Sequence, residues 1–198
     1  MTTLSEVTLQ EFQSKLTDGH VKTMQIIQAA LGIGVMAFLC IVIFLYSAQS
    51  DYDQRMADQN LDLIKILTLI HVLMAATLYY GSTFIYNLQF TENKLREAVA
   101  KTFKDEKGLP ITDPVSKCIV IIRTAMILRL AMLEASAIFG IVICLLAVTN
   151  GVMHHYPEYW LNLITAALFL SLVVMLFPNR ERIEGIFVNK VAQGNTVQ

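Results

Sequence analysis

The stretch Arg129-Leu130-Ala131-Met132-Leu133-Glu134-Ala135-Ser136-Ala137-Ile138-Phe139 decides how the chain is read. It sits in an apolar run that continues to Val148 and is long enough to cross a bilayer. A carboxylate in such a run is expensive, so Glu134 is expected to hold a proton, face a wet cavity or meet a partner. A helix turns about 100° per residue, which sets Arg129 and Glu134 roughly 140° apart, on different faces. Arg123 is nearly in line with Glu134 but about three turns away. Arg129 is placed to snorkel to the headgroups. The partner is therefore expected on another helix. Gln28, at similar depth near the start of the first apolar run, and Arg180 and Arg182, just past the last one, are the candidates. Two readings of Glu134 stand. It binds a proton or cation in a gated site, or it makes a buried inter-helix bond that fixes packing.

The rest of the chain resembles this stretch in character. It has 198 residues, 55% hydrophobic and 16% charged, with mean hydropathy +0.55. Soluble domains run nearer ~45–50% apolar and ~25% charged, so a membrane protein is expected. The net charge of -1 and the lack of a basic tract with interleaved aromatics exclude a nucleic-acid partner. Cys40, Cys118 and Cys144 form no C-x-x-C and read as small buried hydrophobes. No nucleophile–base or metal-ligand set converges at one depth, so neither an enzyme nor a cofactor is expected.

The fold expected is all-α, a bundle of four transmembrane helices, in one membrane domain over 1–198. Residues 1–23 are an amphipathic cytoplasmic N-terminus, with Leu4, Phe12 and Leu16 at helical spacing and Thr8 to Glu11 as a capping box. It is expected to lie on the membrane interface. The first span covers 24–47 and is too long for the apolar region of a signal peptide, so it is expected to be retained. A polar loop carrying Asp51, Asp53 and Asp58 leads to the second span, 62–88. Residues 89–118 are a charged loop whose first part continues the second helix, until Gly108-Leu109-Pro110 breaks it. Asp113 as N-cap and Pro114 at the first position start the third helix, which runs to Val148 and spans the membrane over 119–148. The fourth span is 159–177, with Tyr159 and Trp160 as an aromatic belt. Pro178 stops it, and the tail 178–198 follows, loose from Gly194.

Orientation follows from charge. The loops on one side hold Arg55 as their only cation, whereas the central loop and tail are rich in Lys and Arg. The positive-inside rule then puts both termini and the central loop in the cytoplasm. Both hairpins enter in the same sense, so a duplication would be parallel. Residues Ile26 to Leu45 align without gaps on Ile127 to Leu146, with Ala30 on Ala131, Gln28 on Arg129 and Ile33 on Glu134.

Small residues mark helix-packing faces. Ala30 and Gly34 form one small-xxx-small pair, and Ser136 and Gly140 another. His71, inside the second span, reads as an inter-helix hydrogen bond or a proton relay; a haem would need a second axial ligand at its depth.

The runs Ile127-Leu128-Arg129-Leu130-Ala131-Met132-Leu133-Glu134 and Pro178-Asn179-Arg180-Glu181-Arg182-Ile183 resemble a family of small bacterial four-helix inner-membrane proteins without assigned activity. In that family the third helix carries a similar Arg…Ala-Leu-Leu-Glu run, and the fourth ends in Pro before a basic-acidic segment. Here Ala135-Ser136 stands where the family would carry a Gly-Pro or similar small pair. The resemblance implies a fold and a location, and no activity. A weaker similarity is to the proteolipid rotor subunits of rotary ATPases, which put one carboxylate among Gly-rich helices. There the carboxylate lies near mid-membrane on the second helix of a hairpin, whereas Glu134 is shallow and on the first. The function expected is a structural or accessory membrane subunit. It would pack in the lipid bilayer through small-residue faces, as a homo-oligomer or in a larger membrane complex. The alternative is a small transporter or proton- or cation-handling protein using Glu134.

Overall fold

The computed structural model describes residues 7–49, 54–104 and 108–192. Leu4, Asp51 and Asp53 and the tail from Gly194 lie outside the described residues. The elements in chain order begin with α1 (Leu9–Lys15), α2 (Asp18–Ala48), α3 (Gln54–Leu88) and α4 (Glu92–Ala100). A two-stranded antiparallel hairpin follows, β1 (Phe103–Lys104) with β2 (Pro110–Ile111), in register Phe103 to Ile111. Then come α5 (Pro114–Thr149), α6 (Val152–His155), a 3-10 helix Pro157–Leu163, α7 (Ile164–Met175), α8 (Arg180–Ile186) and a π-helical turn Phe187–Ala192. Four of these helical runs are long and apolar enough to cross a membrane: α2, α3, α5 and the continuous run Pro157–Met175.

The helix starts follow from local chemistry. Thr8 caps α1 through a full capping box: the Glu11 amide donates to Thr8 Oγ1 at 3.3 Å, and the Thr8 amide donates to the Glu11 carboxylate at 2.9 Å. Those bonds hold the Glu11 carboxyl below the usual range, the Thr8 amide first and the Thr8 hydroxyl second. Asp113 starts α5 by accepting from the Ser116 amide at 3.0 Å and its hydroxyl at 2.8 Å. Asn179 starts α8 by accepting from the Arg182 amide at 2.8 Å. Gly151, at φ +73°, ends α5 in the left-handed region that glycine takes without a Cβ clash.

Three local expectations change. The second long helix starts at Gln54, inside the stretch read as a loop. From Gln54 to Leu61 there is no Gly or Pro, so extending a helix already nucleated costs less than ending it. That helix also stops at Leu88, and α4 is a separate helix. Thr91 Oγ1 donates to the Leu88 carbonyl at 2.9 Å, and Phe90 turns inward. Finally, α1 buries its apolar face in protein. Phe12 is fully buried and stacks on Phe187, with ring centroids 4.2 Å apart.

The chain forms two compact units, and α2, α3 and α5 contribute to both. The first contains residues 1–27, 83–129 and 177–198. Its core is built on Phe12, Leu16, Ile122, Ile183 and Phe187. Gln13 Nε2 donates to Glu184 at 2.7 Å and Arg180 donates to the Gln13 carbonyl at 2.8 Å, fastening α1 to α8. The second contains residues 28–82 and 130–176, with Val35, Ile64, Ile141, Ile143 and Phe169 fully or almost fully buried. Around that core large apolar side chains point outward: Ile33 is 67% exposed, Leu69 63%, Tyr80 83% and Val174 76%. Such a surface suits lipid, since water would penalise each of them.

Candidate functional site

The most developed polar site lies in the second unit and is built from two pairs at helical spacing. Thr68 and His71 share one face of α3. Asn162, in the 3-10 helix, and Thr165, at the start of α7, share one face of the fourth run. His71 is 3% exposed and Asn162 3%. His71 Nδ1 lies 2.9 Å from Asn162 Oδ1. His71 Nε2 lies 3.2 Å from the Ser136 carbonyl oxygen and 3.1 Å from Thr165 Oγ1. The Asn162 Nδ2 group donates to the Tyr159 carbonyl and to Thr68 Oγ1, both at 3.0 Å. The ring edge of Phe139 closes the remaining side, with centroids 5.9 Å apart.

This arrangement fixes hydrogen positions. The Tyr159 carbonyl can only accept, so the Asn162 NH2 must face it and Oδ1 must face His71. An amide oxygen can only accept, so His71 Nδ1 carries the hydrogen and donates. Gly140 provides the room. A Cβ there would run into the Asn162 carbonyl oxygen and would come within 2.7 Å of His71 Cε1 and 2.9 Å of Thr165 Oγ1. Ser136 is buried and contributes its carbonyl; its own Oγ has no hydrogen-bond partner among the described residues.

The other expected residues are distributed differently. Gln28 is buried, and its Nε2 donates to the Val173 carbonyl at 2.7 Å. Arg180 pairs with Glu184 at 3.0 Å, and Arg182 donates to the Phe177 carbonyl at 3.0 Å. Glu134 is half-buried and makes no hydrogen bond or ion pair among the described residues. Arg123 is likewise half-buried and without such a bond among the described residues. Arg129 lies over the Tyr86 ring at 5.3 Å, a cation–π contact, with its Nε buried and without a hydrogen-bond partner among the described residues. Ala30 and Gly34 face outward, and a Cβ on Gly34 would meet nothing within 4 Å. Gly32, two residues earlier, is the glycine of α2 that packs inside: a Cβ there would lie 3.1 Å from Val173 Cγ1.

A second cluster of the same unit gathers side chains from the end of α2, the start of α3, α6 and the 3-10 helix. His154 stacks on Tyr46 at 4.3 Å, and Trp160 meets Tyr46 edge-on at 5.2 Å. Burial, and then the neighbouring His155, hold the His154 imidazole below its usual range. Tyr156 donates to Asp58 at 2.9 Å, and that bond is the first cause of its phenol lying above the usual range. Among the described residues no three His, Cys, Asp or Glu side chains converge as a metal site.

Sequence reasoning singled out His71, Ser136 and Gly140 separately and missed Thr68, Asn162 and Thr165. The available signal was the i,i+3 spacing of Asn162 and Thr165 in an otherwise apolar run, matching Thr68 and His71. No protein-family profile, curated protein or solved structure matches this chain. The resemblance to small bacterial four-helix membrane proteins therefore rests on the two segments quoted for it.

Proposed function

We propose that this chain is a structural or accessory subunit of a membrane assembly, seated in a bacterial inner membrane with both termini in the cytoplasm. The observation that carries the reading is Glu134: half-buried in a helix that suits a bilayer, without a hydrogen-bond or ion-pair partner among the described residues of its own chain. A polar group from a neighbouring chain would stabilise a carboxylate so placed. Two outward small-residue pairs support this. Ala30 and Gly34 on α2 are exposed, and so are Ala131 and Ala135 at the aligned positions of α5. Small residues on a lipid-facing surface let another helix approach closely. The orientation rests on the cations: the second unit holds only Arg55 and Lys65 of the chain's fifteen.

The same unpaired carboxylate supports the alternative, a small proton- or cation-handling protein using Glu134. Extraction in a mild detergent with identification of companions, paired with ion flux in proteoliposomes, separates the two. The subunit reading expects wild type to come out as an oligomer or with a stable companion, and Glu134→Leu to lose it. Ion handling expects a wild-type flux that Glu134→Gln abolishes. A monomeric wild type without companion or flux overturns both.

A further inference from the structure

We infer that His71 is a proton-binding site inside the second unit, the proton being taken up at Nε2. This holds whether or not Glu134 finds a partner in another chain. The argument begins with the tautomer. Asn162 is locked by the Tyr159 carbonyl, so its Oδ1 faces the ring and Nδ1 is the protonated nitrogen of the neutral imidazole. Nε2 then carries a lone pair. Two oxygens stand before it, Thr165 Oγ1 at 3.1 Å and the Ser136 carbonyl at 3.2 Å. The hydroxyl can donate to the lone pair; the carbonyl has only lone pairs to offer. The neutral ring thus leaves an acceptor pointed at an acceptor within hydrogen-bond distance.

A proton taken from the aqueous phase onto Nε2 resolves this without moving a heavy atom. The new N–H donates to the Ser136 carbonyl, and Nδ1–H keeps its bond to Asn162. The Thr165 hydroxyl, released from Nε2, turns its hydrogen toward the Asn162 carbonyl at 3.3 Å. Both N–H groups of the cation are then hydrogen-bonded, the condition under which a buried charge is tolerated. The tight fit at Gly140 holds these groups at hydrogen-bond distance in either state. Of the titratable groups on the elements that meet at the ring, Lys65 on α3, Glu134 on α5 and Tyr159 in the 3-10 helix lie nearest in sequence to its contacts. None of them bonds to the ring: its recorded partners are Asn162, Ser136, Thr165 and Phe139. Lys65 is turned to Asp62, at 3.2 Å.

The test is nitrogen-15 NMR of histidine-labelled protein in phosphatidylcholine–phosphatidylglycerol nanodiscs, titrated over the pH range in which helical circular dichroism is unchanged. The chain has four histidines, so His71 is assigned by its loss in His71→Gln. If that variant does not fold, it is assigned by elimination using His20→Gln, His154→Gln and His155→Gln. At alkaline pH the ring is expected to carry hydrogen on Nδ1 alone. On acidification the Nε2 resonance should move to its protonated position, and the Ser136 carbonyl carbon should shift with it. In Asn162→Leu the lock is gone, and the neutral ring should switch to the Nε2–H form donating to Ser136. A wild-type neutral ring with hydrogen on Nε2 overturns the inference. So does a ring that stays neutral until the helices melt, or a second proton that leaves the Ser136 carbon unmoved.

Discussion

The two compact units handle polarity in opposite ways. The first, residues 1–27, 83–129 and 177–198, keeps most of its charges outside an ordinary apolar core, with Lys117 a buried exception. Its ion pairs Lys94–Glu97 and Arg96–Glu92 lie on the exposed helix α4, while Phe12, Ile183 and Phe187 fill the interior. The second, residues 28–82 and 130–176, places hydrogen-bonded polar groups such as His71, Asn162 and Gln28 inside and leaves Ile33, Leu69, Tyr80 and Val174 outside. In water that surface would be costly. In lipid the unmet polar group is the costly thing, so inward satisfaction and outward apolar surface follow from one solvent. Ser136 Oγ and the Glu134 carboxylate are exceptions among the described residues of the second unit, and Glu134, as the charged one, carries the functional reading.

The contrast can be broken most forcefully in the first unit. Phe12→Ala removes a fully buried ring stacked on Phe187 and should cost about 3–5 kcal/mol. Denaturant unfolding in detergent, followed by circular dichroism, measures it. A loss below about 1 kcal/mol would mean that α1 is not part of that core.

The next effect compares two glycines of the second unit. Gly140→Ala drives a methyl into the Asn162 carbonyl, His71 and Thr165 and should cost about 1–3 kcal/mol. Gly34→Ala meets open space and should change stability by less than about 1 kcal/mol, in either direction. Equal losses at both positions in thermal unfolding would remove the claim that Gly140 seats the histidine network.

Asp113 tests the first unit again, through pH. Partial burial is the largest single influence on its carboxyl and raises it. The Ser116 hydroxyl and amide, the Lys15 charge and the Val115 amide together outweigh burial and hold it below the usual carboxylate range. Its stabilisation is therefore fully present above the unfolded-state value and is lost as pH falls through the lower folded one. Asp113→Ala should cost about 0.5–2 kcal/mol at neutral pH, with a smaller difference from wild type under strong acid. A difference independent of pH would refute the cap. The smallest effect belongs to α4, where Arg96→Ala removes an exposed pair and should change stability by less than about 1 kcal/mol. Raising salt should shrink even that.

Much of the fold was legible because its signals are local. Thr8 with Glu11, and Asp113 with Pro114, announce helix starts through bonds that reach three residues. The four apolar runs follow from bilayer thickness. The site was harder to read, because it depends on pairs distant in sequence. Nothing near His71 says that residue 162 supplies its acceptor, and α5 contributes a backbone carbonyl whose identity carries no code. Gly140 could be recognised as a small residue, but what it makes room for could not. The break after Leu88 was hidden because Gln89–Phe90 carries neither Gly nor Pro; burial of Phe90 in the first unit's core turns the chain.

The central claim is that Glu134 meets a polar group of another chain. Native mass spectrometry of the protein released directly from its own membranes, wild type against Glu134→Leu, tests it. The account predicts a wild type carrying a second copy or a companion, and a Glu134→Leu variant released alone with its helical content unchanged. A wild type released alone, or a variant that keeps the same companion, would contradict it.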